Sequence, residues 1–168
     1  MSRRFLSILI AGIAALSALL LAGREAHAQQ AGSLAKTRDL SFGAFVAGTG
    51  GAVVLSPSGV RTSTGGVILM NLPAPSSATF SATVIKTGTS NKGNFKTVSF
   101  SLPSSIQLTS GGNVMTVDTF VSSPAAGTLS AIALGSTVNV TVGATLRVAA
   151  NQRPGNYSGS FSVIADFQ

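Results

Sequence analysis

Residues 153–168 read RPGNYSGSFSVIADFQ. From Tyr157 onward the stretch alternates. Tyr157, Gly159, Phe161, Val163, Ala165 and Phe167 fall on one side, and Ser158, Ser160, Ser162, Asp166 and Gln168 on the other, with Ile164 the one apolar residue among the polar set. A period of two marks a β-strand with one buried face, because successive side chains of an extended backbone point to opposite sides. The strand is predicted to run from Tyr157 to the end of the sequence.

The same alternation recurs upstream, broken by Gly, Ser, Pro and Asn every 8–12 residues or so, which is the pattern of an all-β sandwich or barrel. Candidate strands are 40–46, 52–56, 60–63, 67–70, 78–86, 95–102, 105–109, 113–121, 127–134 and 137–148. Ser56-Pro57-Ser58-Gly59 predicts a hairpin turn, with proline at a position that wants its fixed φ and glycine where φ is positive. Ser110-Gly111-Gly112 predicts another. Phe80, Ala82 and Val84, then Val98, Phe100 and Leu102, then Val138, Val140, Val142, Ala144, Leu146 and Val148 are the expected core positions. GTLSAIAL (127–134) has few polar residues and is expected to be buried on both faces. No segment beyond the N-terminus holds a helical period, and Ser and Thr fill the outward positions, which suits strands. The predicted fold is an all-β, antiparallel immunoglobulin-like β-sandwich of about nine strands.

The first residues differ in kind. Arg3 and Arg4 precede an apolar run from Phe5 to Gly23, and Ala26-His27-Ala28 provides a small-x-small cleavage site. This predicts a secretory signal peptide over 1–28, cut after Ala28, and hence an exported protein of the periplasm, cell surface or extracellular space. Residues 29–39 are expected to form a flexible N-terminal extension, and 40–168 the β-sandwich domain. Removing Arg3, Arg4, Arg24 and Glu25 from eleven basic and four acidic residues leaves eight and three, a net charge of +5. The only histidine goes with the leader, and there is no cysteine anywhere, so the exported domain is expected to hold together by packing and hydrogen bonds alone.

That inventory argues against catalysis. A nucleophilic Ser or Thr needs a base such as histidine beside it, and a glycosidase needs two carboxylates about 5–10 Å apart. Asp39, Asp118 and Asp166 are far apart in sequence; only Asp118 and Asp166, both on outward strand positions, offer a pair in space. No cluster suits calcium or zinc, and the glycine pairs lack the strand-to-helix setting of a phosphate loop. No enzyme activity and no cofactor are expected, and a hydrolase is the remote remaining reading. The basic residues are dispersed, without the clustered or aromatic-interleaved pattern of nucleic-acid binding. Lys86, Lys92 and Lys96 around TGTSNKGN form the one basic group, a solvated hairpin tip or a contact for acidic surface glycans. No membrane span is expected after the leader is removed. Tyr157, the only tyrosine, is expected to bury its ring and bond its hydroxyl to nearby backbone.

Three blocks in order, LSFGAFVAGTGGAVVLSPSGVRTSTGGV (40–67), SLPSSIQLTSGGNVMTVDTF (101–120) and VGATLRVAANQRPGNYSGSFSV (142–163), resemble the bacterial secreted family known as domain of unknown function 4402. The resemblance covers about residues 36–168 and implies a secreted β-sandwich, mostly of Gram-negative bacteria, with no assigned reaction. The C-terminus is also similar to that of chaperone–usher pilin subunits, including the spore-coat-U-like archaic branch. Those subunits carry a glycine fourteenth from the end, an alternating last strand and a penultimate aromatic, matched by Gly155, Tyr157 to Phe167, and Phe167. Phe42-Gly43 also resembles their first strand. This second resemblance implies a missing strand that a periplasmic chaperone, then a second subunit, supplies by β-augmentation.

The chain departs from that pattern in its phenylalanine where tyrosine is commoner, in having no disulfide, and in a poor donor segment: QQAGSLAKTRD (29–39) offers Leu34 and a few alanines. Two readings therefore stand. One is a self-complete structural or binding module; the alternative is a pilin-like fibre subunit assembled through the strand carrying Gly155, Tyr157, Gly159, Phe161, Val163, Ala165 and Phe167.

Overall fold

The computed structural model describes residues 32–85 and 95–168, without the side chains of residues 95, 96, 130 and 131. The predicted leader with Ala26 and Ala28, the loop 87–94, and Lys86 and Lys92 lie outside the described residues, as does the side chain of Lys96.

The chain is all-β and antiparallel, and no helix occurs among the described residues. Its strands are β1 (Gly32–Arg38), β2 (Phe45–Val46), β3 (Gly51–Leu55), β4 (Arg61–Gly65), β5 (Ile68–Leu69), β6 (Ala78–Val84), β7 (Phe95–Ser101), β8 (Ser105–Ser110), β9 (Asn113–Ser123), β10 (Gly127–Ala133), β11 (Thr137–Val148) and β12 (Ile164–Phe167). Both predicted hairpins form. Gly59 closes the first at φ 84° with its N–H on Ser56 O, and Gly111 and Gly112 turn the second at positive φ.

The longest strand organises the rest. Thr137–Val142 of β11 pair with β6, and Ala144–Val148 pair with β3 along the same edge. The opposite edge pairs with β9 from Thr141 to Arg147. With β1 beyond β6, β4 beyond β3 and β8 beyond β9, this makes a curled seven-stranded sheet. Gly143 stands where β6 ends and β3 begins. A Cβ there would collide with Leu55 O, lie 2.6 Å from Ser56 C and 2.8 Å from Pro57 N, all of them backbone atoms. Only glycine lets the two partners meet end to end.

β10, β7 and β12 form a second, three-stranded sheet. Its inner residues Val98, Phe100 and Ile132 meet Ala78, Phe80, Ala82, Val84, Val140 and Val142 of β6 and β11. A second cluster, Phe42, Val53, Leu55, Val67, Met115, Val117, Ala144, Leu146 and Val148, fills the other end of the curled sheet. Leu40 and Phe120 pack against both. Most of the alternating positions read from β6, β7 and β11 are buried, because one face of each sheet is apolar, while Leu102 and Val138 are half-buried at its margin.

Four strand expectations differ from the structure. The extension predicted as flexible over 29–39 holds β1, paired with β6 from Gly32↔Val84 to Arg38↔Thr79. Leu34, packed on the second core, anchors it. The strand predicted over 40–46 shrinks to β2, because Gly43 at φ 68° bends it. The last strand is in a ladder only at Ile164–Phe167, where β7 lies beside it. β10 is not buried on both faces: it is an edge strand with Gly127 and Thr128 exposed and Ile132 buried.

Gly143→Ala is expected to destabilise the domain by about 1–3 kcal/mol, since the added methyl meets fixed backbone rather than a movable side chain. A lowered urea midpoint with unchanged slope checks it.

Candidate functional site

Between the segment 39–48 and the segment 151–161 the surface opens into a cleft of about 1040 Å³. Its floor is apolar: Phe42, Met115, Val117, Leu146, Ile106 and Leu108 from the first core, with Ala78, Phe80 and Phe161 from the second. The charged residues lining it are Lys36, Asp39 and Arg153. Lys36 Nζ donates to Asp39 Oδ1 at 2.6 Å, with both side chains mostly exposed.

Within each wall a short stretch, 40–42 and 157–161, has a residue bonded by backbone on one side and neighbours whose N–H groups are not. Ser158 exchanges both backbone bonds with Thr109 of β8, at 2.9 and 3.1 Å. Alternation along an extended chain turns the groups of Tyr157, Gly159 and Phe161 to the opposite side. Among the described residues their N–H groups have no hydrogen-bond acceptor. On the facing wall Ser41 exchanges both bonds with Ser76, at 2.7 and 2.8 Å, and the N–H groups of Leu40 and Phe42 have no acceptor either.

The wall residues are held individually. Gly159 is tight against β8: a Cβ would be 2.5 Å from Gln107 O and 2.9 Å from Leu108 Cδ2. Gly155 sits against the Ser110 side chain. The Tyr157 hydroxyl donates to Arg153 O at 2.8 Å and accepts from Gln152 Nε2 at 2.8 Å, while its ring packs on the first core. Phe161 meets Phe80 edge-on at 6.0 Å and Phe120 at 5.2 Å between ring centroids. Val163, Ala165 and Phe167 continue on the same face into the second core. Thus Gly155, Tyr157, Gly159 and Phe161 border the cleft, whereas Val163, Ala165 and Phe167 do not.

Arg61 was not foreshadowed. From β4 its Nη1 donates to Phe42 O at 2.7 Å and Ala44 O at 3.2 Å, and its Nη2 to Met70 O at 2.5 Å. Gly43 leaves the room: a Cβ would be 2.5 Å from that Nη1 and 2.6 Å from Pro73 O. One planar cation therefore ties the 42–44 wall to the chain after β5. A lone arginine after a hairpin turn carries no sequence signal of this role.

The aspartates are dispersed among different elements. Asp39 pairs with Lys36, Asp166 is exposed on β12, and Asp118 of β9 accepts from Arg147 Nε of β11 at 2.9 Å. The Arg147 hydrogen bond holds the Asp118 carboxyl below its ordinary 3.8, helped by Thr119 and opposed by desolvation. Among the described residues no three His, Cys, Asp or Glu side chains group as metal ligands, and no helix is long and apolar enough to cross a membrane.

Residues 33–167 match the family model described as Domain of unknown function (DUF4402). The chain belongs to this family. A comparison with curated proteins and with solved structures finds no match. The match takes in both walls of the cleft and all of β1 except Gly32, so in this DUF4402 chain the cleft is part of the family domain rather than an addition to it.

Two predictions concern these side chains. Arg61→Met should lower stability by about 2 kcal/mol or more, since three carbonyls lose a charged donor. Amide exchange at Phe42–Phe45 should quicken, and Arg61→Lys should not restore it, because an ammonium cannot span all three. For Asp118, a folded-state pKa below the unfolded one means stability that is present above the unfolded value and lost as pH falls through the folded one. Wild type should therefore lose more stability than Asp118→Asn between roughly pH 6 and roughly pH 2. Thermal midpoints across that range check the sign.

Proposed function

We propose that this DUF4402 protein is a non-enzymatic, exported β-sandwich of immunoglobulin-like build that works by receiving an extended β-strand in the cleft between 39–48 and 151–161. It serves as a pilin-like assembly or binding module in the periplasm or on the surface of a Gram-negative cell. The observation that carries this is that, among the described residues, the N–H groups of Leu40 and Phe42 and of Tyr157, Gly159 and Phe161 lack acceptors, on the two walls of a cleft with an apolar floor.

Backbone groups beside such a floor are costly to leave without partners, and an inserted strand satisfies both edges while its alternate side chains cover the floor. Each large apolar side chain fully buried there contributes about 1.5–3 kcal/mol. Immunoglobulin-like build is supported by Tyr157. Its hydroxyl bonds to backbone four residues upstream, at Arg153 O, as the hydroxyl of the tyrosine corner of such sandwiches does.

The test is the exported chain, residues 29–168, titrated with a synthetic peptide of alternating valine and threonine. The peptide is expected to raise the thermal midpoint and to slow amide exchange at Tyr157, Gly159 and Phe161, while Phe161→Asp abolishes both effects. A heat-stable monomer whose three amides are already protected alone, and unaffected by peptide, would instead mark the domain as self-complete.

A further inference from the structure

We infer that this chain accepts a strand but does not donate one: the occupant of its cleft is an extended segment of a different protein, with large apolar residues at alternate positions, and not the N-terminal segment of a second copy. This rests on the strand-accepting reading of the cleft. The first ground is that the chain's own N-terminal segment is already built into its fold. β1 is paired along β6 from Gly32 to Arg38, Leu34 is packed on the second core, and Thr37 Oγ1 donates to Thr79 O at 3.1 Å. The Phe167 ring from β12 packs directly over Gly32. Donating this segment would strip the edge of the curled sheet and uncover Phe167.

The second ground is chemical mismatch. An inserted strand presents every second side chain to the floor. With Leu34 inward, Lys36 and Arg38 would follow it onto Phe42, Met115, Val117 and Leu146, where no carboxylate lines the floor and the lining Asp39 already pairs with Lys36. Burying those cations unpaired is strongly unfavourable. In the other register Ser33, Ala35 and Thr37 face inward, too small and too polar to cover the floor. The C-terminal strand is not available either. β12 is laddered to β7, and Gln168 exchanges bonds with Thr97 at 2.9 and 3.1 Å. A partner with alternating valine, isoleucine, leucine or phenylalanine satisfies both the edges and the floor.

The experiment compares two peptides on the exported chain by calorimetric titration and sedimentation: the alternating valine–threonine peptide, and this chain's own QQAGSLAKTRDL (29–40). The expected result is saturable one-to-one binding of the first, binding of the second at least about 100-fold weaker, and a chain that stays monomeric at high concentration. Replacing Lys36 and Arg38 by valine within the second peptide should recover most of the affinity. As a second check, Ala35→Cys with Ser81→Cys, cross-strand partners in β1 and β6, should tie β1 down without altering uptake of the first peptide. Equal affinity for the two peptides, or self-assembly into fibres that the tied variant cannot form, would overturn the inference and leave the strand-accepting reading intact. Failure of both peptides to bind would overturn that reading and this inference with it.

Discussion

β11 is bonded along both edges for most of its length, and both apolar clusters are built on its inward face. Val140 and Val142 belong to the second core, and Ala144, Leu146 and Val148 to the first. Four strands depend on it at first or second remove along one edge, and β9 with β8 along the other. A single glycine at its middle allows two separate strands to share one edge. With no cysteine in the chain, this lattice of backbone bonds over two small cores is what the domain has in place of cross-links.

The same economy explains the cleft. Backbone groups in a sheet are satisfied by neighbours, and the chain runs short of neighbours where the 39–48 and 151–161 segments face each other. The backbone on either side is pinned from behind: Ser41 by Ser76 and the Phe42 and Ala44 carbonyls by the Arg61 guanidinium, Ser158 by Thr109, and Gly159 by its close seat on β8. The groove is thus held open by polar contacts, while its floor is continuous with the two cores.

Local periodicity carried much of this. The inward and outward positions of β6, β7 and β11, the two hairpin turns and the hydroxyl bond of Tyr157 were all readable, because each depends on residues close in sequence or on a period of two. The alternation of 157–167 also holds as burial: Tyr157, Phe161, Val163, Ala165 and Phe167 are half-buried, and Ser158, Ser160 and Ser162 exposed. Whether a neighbouring strand stands beside that stretch is a long-range matter that no period encodes, so a single predicted strand became a length bridged to β8 only at Ser158, followed by β12. β1 escaped notice because only Leu34 marks it; its remaining residues are small or polar, and its pairing comes from β6. Arg61 acts through three carbonyls from distant segments, which side-chain chemistry alone does not announce.

The position of β11 late in the chain also orders events in time. Gly51 pairs with Val148 and Ala78 with Val142, so a chain synthesised N-terminus first presents β3 and β6 long before their shared partner arrives. The β3–β4 and β8–β9 hairpins can close locally, but neither core can. Contacts of such sequence separation make folding slow and leave apolar strands open meanwhile. Until residues 137–148 arrive, β3 and β6 lack the strand they share, and neither apolar cluster has its central element.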